Sequence, residues 1–137
     1  MKVTVKWLDE MTFVGETESG HAVVMDAAPD VGGHNLGARP MEMLLLGTGG
    51  CSSIDVIHIL KKARQAVSDC RCEVSAERAA SDPKVFTRIH LHFVVSGQDL
   101  SENHVRRAVE LSAQKYCSAS IMFAQIAEVS HSYEISA

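Results

Sequence analysis

The 137-residue sequence has no excess of positive charge: 17 acidic residues against 13 Lys and Arg give a formal net charge of −4. A mildly acidic surface without a basic stripe repels phosphate backbones, which argues against a nucleic-acid partner. Long apolar runs are also missing. The longest uncharged, apolar-leaning stretch, Met43 to Ile54, is interrupted by Gly47, Gly49 and Gly50 and by Thr48, Ser52 and Ser53. A membrane helix needs about 20 predominantly apolar residues, so no membrane partner is expected. The opening residues MKVTVKWLDE alternate where a signal peptide would carry an apolar block. Four cysteines are too sparse for a secreted disulfide scaffold. No repeat, low-complexity tract, P-loop, Rossmann glycine fingerprint or Ser-His-Asp order is present. These absences leave a soluble, cytoplasmic protein with one domain over residues 1–137. Its apolar fraction of 46% is enough for an ordinary core.

The pattern predicts an α+β fold. Val3, Val5 and Trp7 alternate with Lys2, Thr4 and Lys6 as in a strand, and Met11–Glu16 and His21–Asp26 complete a meander. The glycine- and proline-bearing stretch Ala27–Arg39 reads as a candidate lid or binding loop. Pro40 suits the first turn of a helix that runs to about Gln65, with Leu44, Thr48, Cys51, Asp55 and His58 on one stripe. Glycine costs a helix interior about 1 kcal/mol relative to alanine. Gly47, Gly49 and Gly50 therefore call for close approach of another backbone, or for a kink that presents Cys51. Strands are predicted over Cys70–Arg78 and Val85–Val95, a helix capped by Ser101 runs to Tyr116, a short helix covers Ala119–Ile126, and a strand covers Val129–Ile135.

Cysteine chemistry is the open question. Cys70-x-Cys72 and His90-x-His92 suggest zinc, but strand alternation puts the cysteines in phase with Val74 and Ala76. The histidines fall on the face opposite Ile89, Leu91 and Phe93. No metal site and no cofactor are expected, and Cys70 and Cys72 read as core thiols. Cys51 lies among glycines and serines, with Asp55 and His58 one and two turns on. Cys117 sits at a helix–helix junction, where N–H groups favour a thiolate. Either cysteine could be a small buried hydrophobe or a redox group. Glu42 and Cys51 are nine residues apart, or two and a half turns, and so point to opposite sides of a straight helix. For Glu42 to serve Cys51, it must come from a partner chain or the helix must break at its glycines.

The segment Pro40-Met-Glu-Met-Leu-Leu-Leu-Gly-Thr-Gly-Gly-Cys51, with Leu111-Ser-Ala-Gln-Lys-Tyr-Cys117-Ser, resembles the OsmC/Ohr family (osmotically inducible protein C and organic hydroperoxide resistance). Cys51-Ser-Ser-Ile-Asp-Val, Val85-Phe-Thr-Arg-Ile-His-Leu-His-Phe and Ala108-Val-Glu-Leu-Ser look closest to its YhfA-like branch. The resemblance implies antiparallel sheets packed on a long central helix, in an intertwined homodimer. It further implies a thiol-dependent peroxidase that reduces organic hydroperoxides, or hydrogen peroxide, and is recycled by an external dithiol of lipoyl type. Cys51 would be the peroxidatic thiol, Cys117 the resolving thiol, and Glu42 a catalytic carboxylate contributed across the dimer. Better-studied members carry an arginine before the proline; here Ala22–Leu36 has no Arg or Lys, and the candidate supporting cations are Arg39, directly before Pro40, where it would fold back on Glu42 or point to solvent, and His34. A smaller thiolate fraction follows from that departure. The alternative is a non-catalytic binding protein of the same fold that holds a small apolar ligand.

Overall fold

A computed structural model describes residues 1–136. The chain forms two compact units, residues 1–44 and 45–137, the α1 helix beginning in the first and continuing into the second. The architecture is α+β, with two three-stranded sheets and three α-helices.

The first unit is an antiparallel meander of β1 (Val3–Asp9), β2 (Thr12–Thr17) and β3 (Ala22–Met25). Within this unit the loop after β3, expected to be a lid, is pinned. Asp26, only 1% exposed, accepts backbone N–H bonds from Ala27 (2.8 Å), His34 (3.0 Å) and Leu36 (3.1 Å), and a bond from the Thr12 side chain. Burial would raise its pKa, but those four donors outweigh it and hold the carboxyl below the usual range. The backbone then passes so close that a Cβ at Gly37 would collide with the Val24 carbonyl oxygen.

In the second unit, α1 (Pro40–Lys62) runs unbroken through its glycines. Its buried stripe is Thr48, Gly49, Ser52, Val56 and Leu60, one position along from the predicted stripe. Gly49 explains the shift: a Cβ there would sit 2.9 Å from Val74 Cγ2, so the helix approaches β4 (Ala66–Arg78) only because that side chain is absent. By length and hydropathy α1 is long and apolar enough to cross a bilayer; this one stripe of it is buried.

β4 pairs antiparallel with β5 (Phe86–Gln98), whose Ile89, Leu91, Phe93 and Val95 are almost completely buried. β6 (Glu128–Ser136) is the exception to the expected antiparallel sheets. It runs parallel to β5 because α2 (Glu102–Leu111), a π-helical turn over Ser112–Tyr116 and α3 (Ser118–Phe123) form a crossover between them. α2 is capped as expected, the Ser101 hydroxyl accepting from the His104 N–H, but it ends at Leu111 rather than at Tyr116. β4 starts four residues earlier than predicted, since a register shift between Val67 and Asp69 breaks the alternation that would have announced it.

Candidate redox site

Cys51 lies on α1, partly buried, directly before the buried Ser52. Cys117 is fully buried at the N-cap of α3, where its sulfur accepts the Ser120 N–H at 3.4 Å. Its own N–H donates to the Ser112 carbonyl at 2.9 Å across the π-helical turn. That wide turn ends at Cys117, whose thiol has the Cys51 side chain as a close neighbour, and both are free thiols.

The Cys117 thiol is raised above the ordinary range, chiefly by burial. The Ser120 side chain and N–H oppose the rise, and the contact with Cys51 adds to it.

Cys72 approaches the same helix from β4, with its sulfur 3.9 Å from where a Gly49 Cβ would lie. Burial pushes its thiol up to about 11, against a lowering bond from the Ser53 side chain. Cys70 is likewise raised, by burial and by Asp69. The strand register keeps these thiols apart from the histidines. Cys72 pairs with Phe93 and Val74 with Leu91, while His90 and His92 project from the other face. There they form a chain with β6. His90 is bonded to Ser130 (2.6 Å) and Ser132 (2.7 Å), and His92 to Ser132 (2.7 Å) and Glu134 (3.3 Å).

Glu42 and Arg39 belong to the first unit. Glu42 Oε1 accepts the Arg39 backbone N–H at 2.8 Å, the reciprocal half of a capping box at the α1 N-terminus. The Arg39 guanidinium donates to Asn35 Oδ1 at 2.6 Å and only reaches 4.0 Å from Glu42. As a supporting cation it is thus engaged mainly with the loop.

Two serines to which the sequence reading assigned no chemical role bridge the cysteine-bearing segments. Ser52 and Ser112, both completely buried, bring their hydroxyls to 2.8 Å, and Ser112 Oγ lies 3.1 Å from Asp55 Oδ2. Asp55 therefore bonds to Ser112.

The OsmC-like protein family profile matches residues 33–132. Protein YhfA of Escherichia coli K12 is 46% identical over 138 aligned positions, covering 98% of each chain. A hypothetical protein of Aquifex aeolicus shares 33% identity and a TM-score of 0.86, over 98% of this chain and 95% of its own. An organic hydroperoxide resistance protein of Elizabethkingia anophelis superposes with a TM-score of 0.74 at 15% identity, over 98% of this chain and 94% of its own, a likeness of fold. With nearly three quarters of the chain inside the family profile and a near full-length relative at 46% identity, this protein belongs to the OsmC-like family.

Proposed function

We propose that this protein is a cytoplasmic, thiol-dependent peroxidase acting on organic hydroperoxides, with hydrogen peroxide as the smaller alternative substrate. The observation that carries the reading is that two free thiols, Cys51 and Cys117, are close neighbours. The Cys51 sulfur attacks the distal peroxide oxygen, the O–O bond breaks, and the alcohol leaves with a proton, so that Cys51 becomes a sulfenic acid. The Cys117 sulfur then displaces water from the Cys51 sulfur, forming a disulfide. An external dithiol of lipoyl type reduces that disulfide by exchange and is itself oxidised. The family's organic hydroperoxide resistance members support the substrate class.

The reading includes a homodimer. On an unbroken helix Glu42 faces away from Cys51 of its own chain, so the carboxylate beside each reactive sulfur is the partner subunit's Glu42. Two features support such a partner. Gly47 and Gly50 on α1 have open space where a Cβ would go, and Leu46 and Ile54 beside them are exposed. In the first unit, Val3, Val5 and Trp7 of β1 are exposed as well.

Mapping of disulfides after one equivalent of cumene hydroperoxide tests the proposal. A Cys51–Cys117 link that is absent in Cys51→Ser supports it; two free thiols, or oxidation scattered over Cys70 and Cys72, refutes it. In Cys117→Ser, Cys51 should consume one equivalent and stop at the sulfenic acid. One observation favours the non-catalytic alternative: an apolar cavity of about 430 Å³ in the first unit, lined by Val5, Met11, Phe13, Met25 and Pro40 among others. If the thiols are unreactive and mutation of those residues abolishes binding of an apolar probe, the protein is a binding protein.

A further inference from the structure

Beyond the two cysteines, one buried group links the segments that carry them. We infer that Ser112 is a positioning residue for disulfide closure, locking the turn that holds Cys117 onto the helix that holds Cys51. The inference rests on the Cys51–Cys117 reading above.

Ser112 makes two attachments, one with each end of the residue. Its carbonyl oxygen accepts the Cys117 N–H at 2.9 Å, the bond that closes the π-helical turn. Its hydroxyl meets Ser52 Oγ at 2.8 Å and Asp55 Oδ2 at 3.1 Å. The carboxylate of Asp55 can only accept, so the single Ser112 proton goes to it, and the Ser52 hydroxyl donates to Ser112 Oγ. The direction of the chain is therefore fixed: Ser52 to Ser112 to Asp55. The Ser52 carbonyl, at 3.4 Å, is the longer alternative for the Ser112 proton. Ser52 is the residue next to Cys51, and Asp55 lies one turn further along the same helix. Ser52 and Ser112 are both 0% exposed, so no water competes for the bond between their hydroxyls.

The chemistry needs such a lock. A disulfide forms only when the Cα atoms come within about 4.4–6.8 Å and the Cβ vectors converge, and an error of about 1 Å lowers the effective concentration of one thiol at the other steeply. A π-helical turn is the irregular element of the region, and irregular turns hold their geometry only where the surroundings fix them. An apolar side chain at position 112 would pack at several registers along α1, whereas a directional three-member chain is satisfied at one.

The test compares wild type, Ser112→Ala, Ser112→Thr and Ser52→Ala. Each is equilibrated in a dithiothreitol redox buffer with no peroxide present, and the Cys51–Cys117 disulfide is read by mass mapping. Ser112→Ala should lower the equilibrium constant for disulfide formation at least tenfold, which is about 30 mV for this two-electron couple. Ser112→Thr, which keeps the hydroxyl, should recover most of it, and Ser52→Ala should fall between. A separate arm adds cumene hydroperoxide to the reduced proteins. Cys51 oxidation should run at the wild-type rate in Ser112→Ala while the sulfenic acid, trapped by a 1,3-diketone, outlives that of wild type at least tenfold. A folded Ser112→Ala within twofold of wild type in the buffer overturns the inference. If Ser112→Ala does not fold, Ser112→Thr and Ser52→Ala decide: unchanged Ser52→Ala, or a Ser112→Thr as weak as a missing hydroxyl, also overturns it. Failure of the peroxidase reading looks different, since the wild-type disulfide would then form in the buffer but not with hydroperoxide. A wild-type pair that forms no disulfide in either arm removes the inference with it.

Discussion

At the residue scale, Glu42 has two roles that can be separated. Its carboxylate accepts the Arg39 N–H at the start of α1, and under the proposed mechanism it also serves the reactive sulfur across the dimer. Glutamine also fits the reciprocal position of a capping box. Glu42→Gln should therefore leave stability within about 0.5 kcal/mol of wild type while slowing Cys51 oxidation at least tenfold. Glu42→Ala should lose activity to a similar extent and also destabilise by about 0.5–2 kcal/mol, the usual worth of a cap. Urea melts and stopped-flow peroxide consumption on the two variants check this; equal activity for Glu42→Gln and wild type would reduce Glu42 to a cap. The cap is local, since it depends only on the four consecutive residues Arg39 to Glu42. The engagement of Arg39 with Asn35 is not, since it depends on the path of the loop.

At the element scale, the glycines of α1 divide by environment. Gly49 meets the stiff, β-branched Val74 at 2.9 Å, whereas Gly47 and Gly50 face open space. Gly49→Ala should cost about 1–3 kcal/mol through overpacking, more than alanine gains in helix propensity. Gly50→Ala should raise the stability of an isolated chain by up to about 1 kcal/mol. If a second copy packs on that face, the added methyl should instead weaken the dimer, a change visible by sedimentation at micromolar concentration. The sequence revealed that the helix carried too many glycines and that one reason would be close approach. Which glycine met β4 depended on helix phase, and a shift of one residue separated the expected stripe from the observed one.

Across the whole molecule, three thiols couple stability to pH in the same direction. Burial holds Cys72 near 11 against an ordinary 9.0, and raises Cys70 and Cys117 above that value. In the unfolded chain these groups ionise near 9, while the folded chain keeps their protons to higher pH. Below about pH 9 their contribution is fully present, and it is lost as pH rises toward 11. Urea midpoints at pH 8, 9, 10 and 11 should decline over that window, and Cys72→Ala should flatten the decline. Asp26 acts at the other end. Its pKa is lowered from 3.8, so its contribution is present above that pH and is lost as the carboxyl protonates below it. Asp26→Asn should make the loop after β3 more susceptible to proteolysis at pH 7 and reduce the acid sensitivity of unfolding.

The sequence by itself determined what depends on short-range pattern. The 2-residue and 3.6-residue periods set the strands and helices, the alternation on β4 and β5 put cysteines and histidines on opposite faces, and the proline, glutamate and two cysteines marked the family. Tertiary structure decided what depends on contacts distant in sequence. The parallel return of β6 follows from the crossover path. Cys117, with Cys51 as its close neighbour, ends a π-helical turn that no periodicity announces. The bond between Ser52 and Ser112 joins residues 60 positions apart. Local propensity constrains neighbours along the chain, while a buried hydroxyl finds its partner only when the core closes around both.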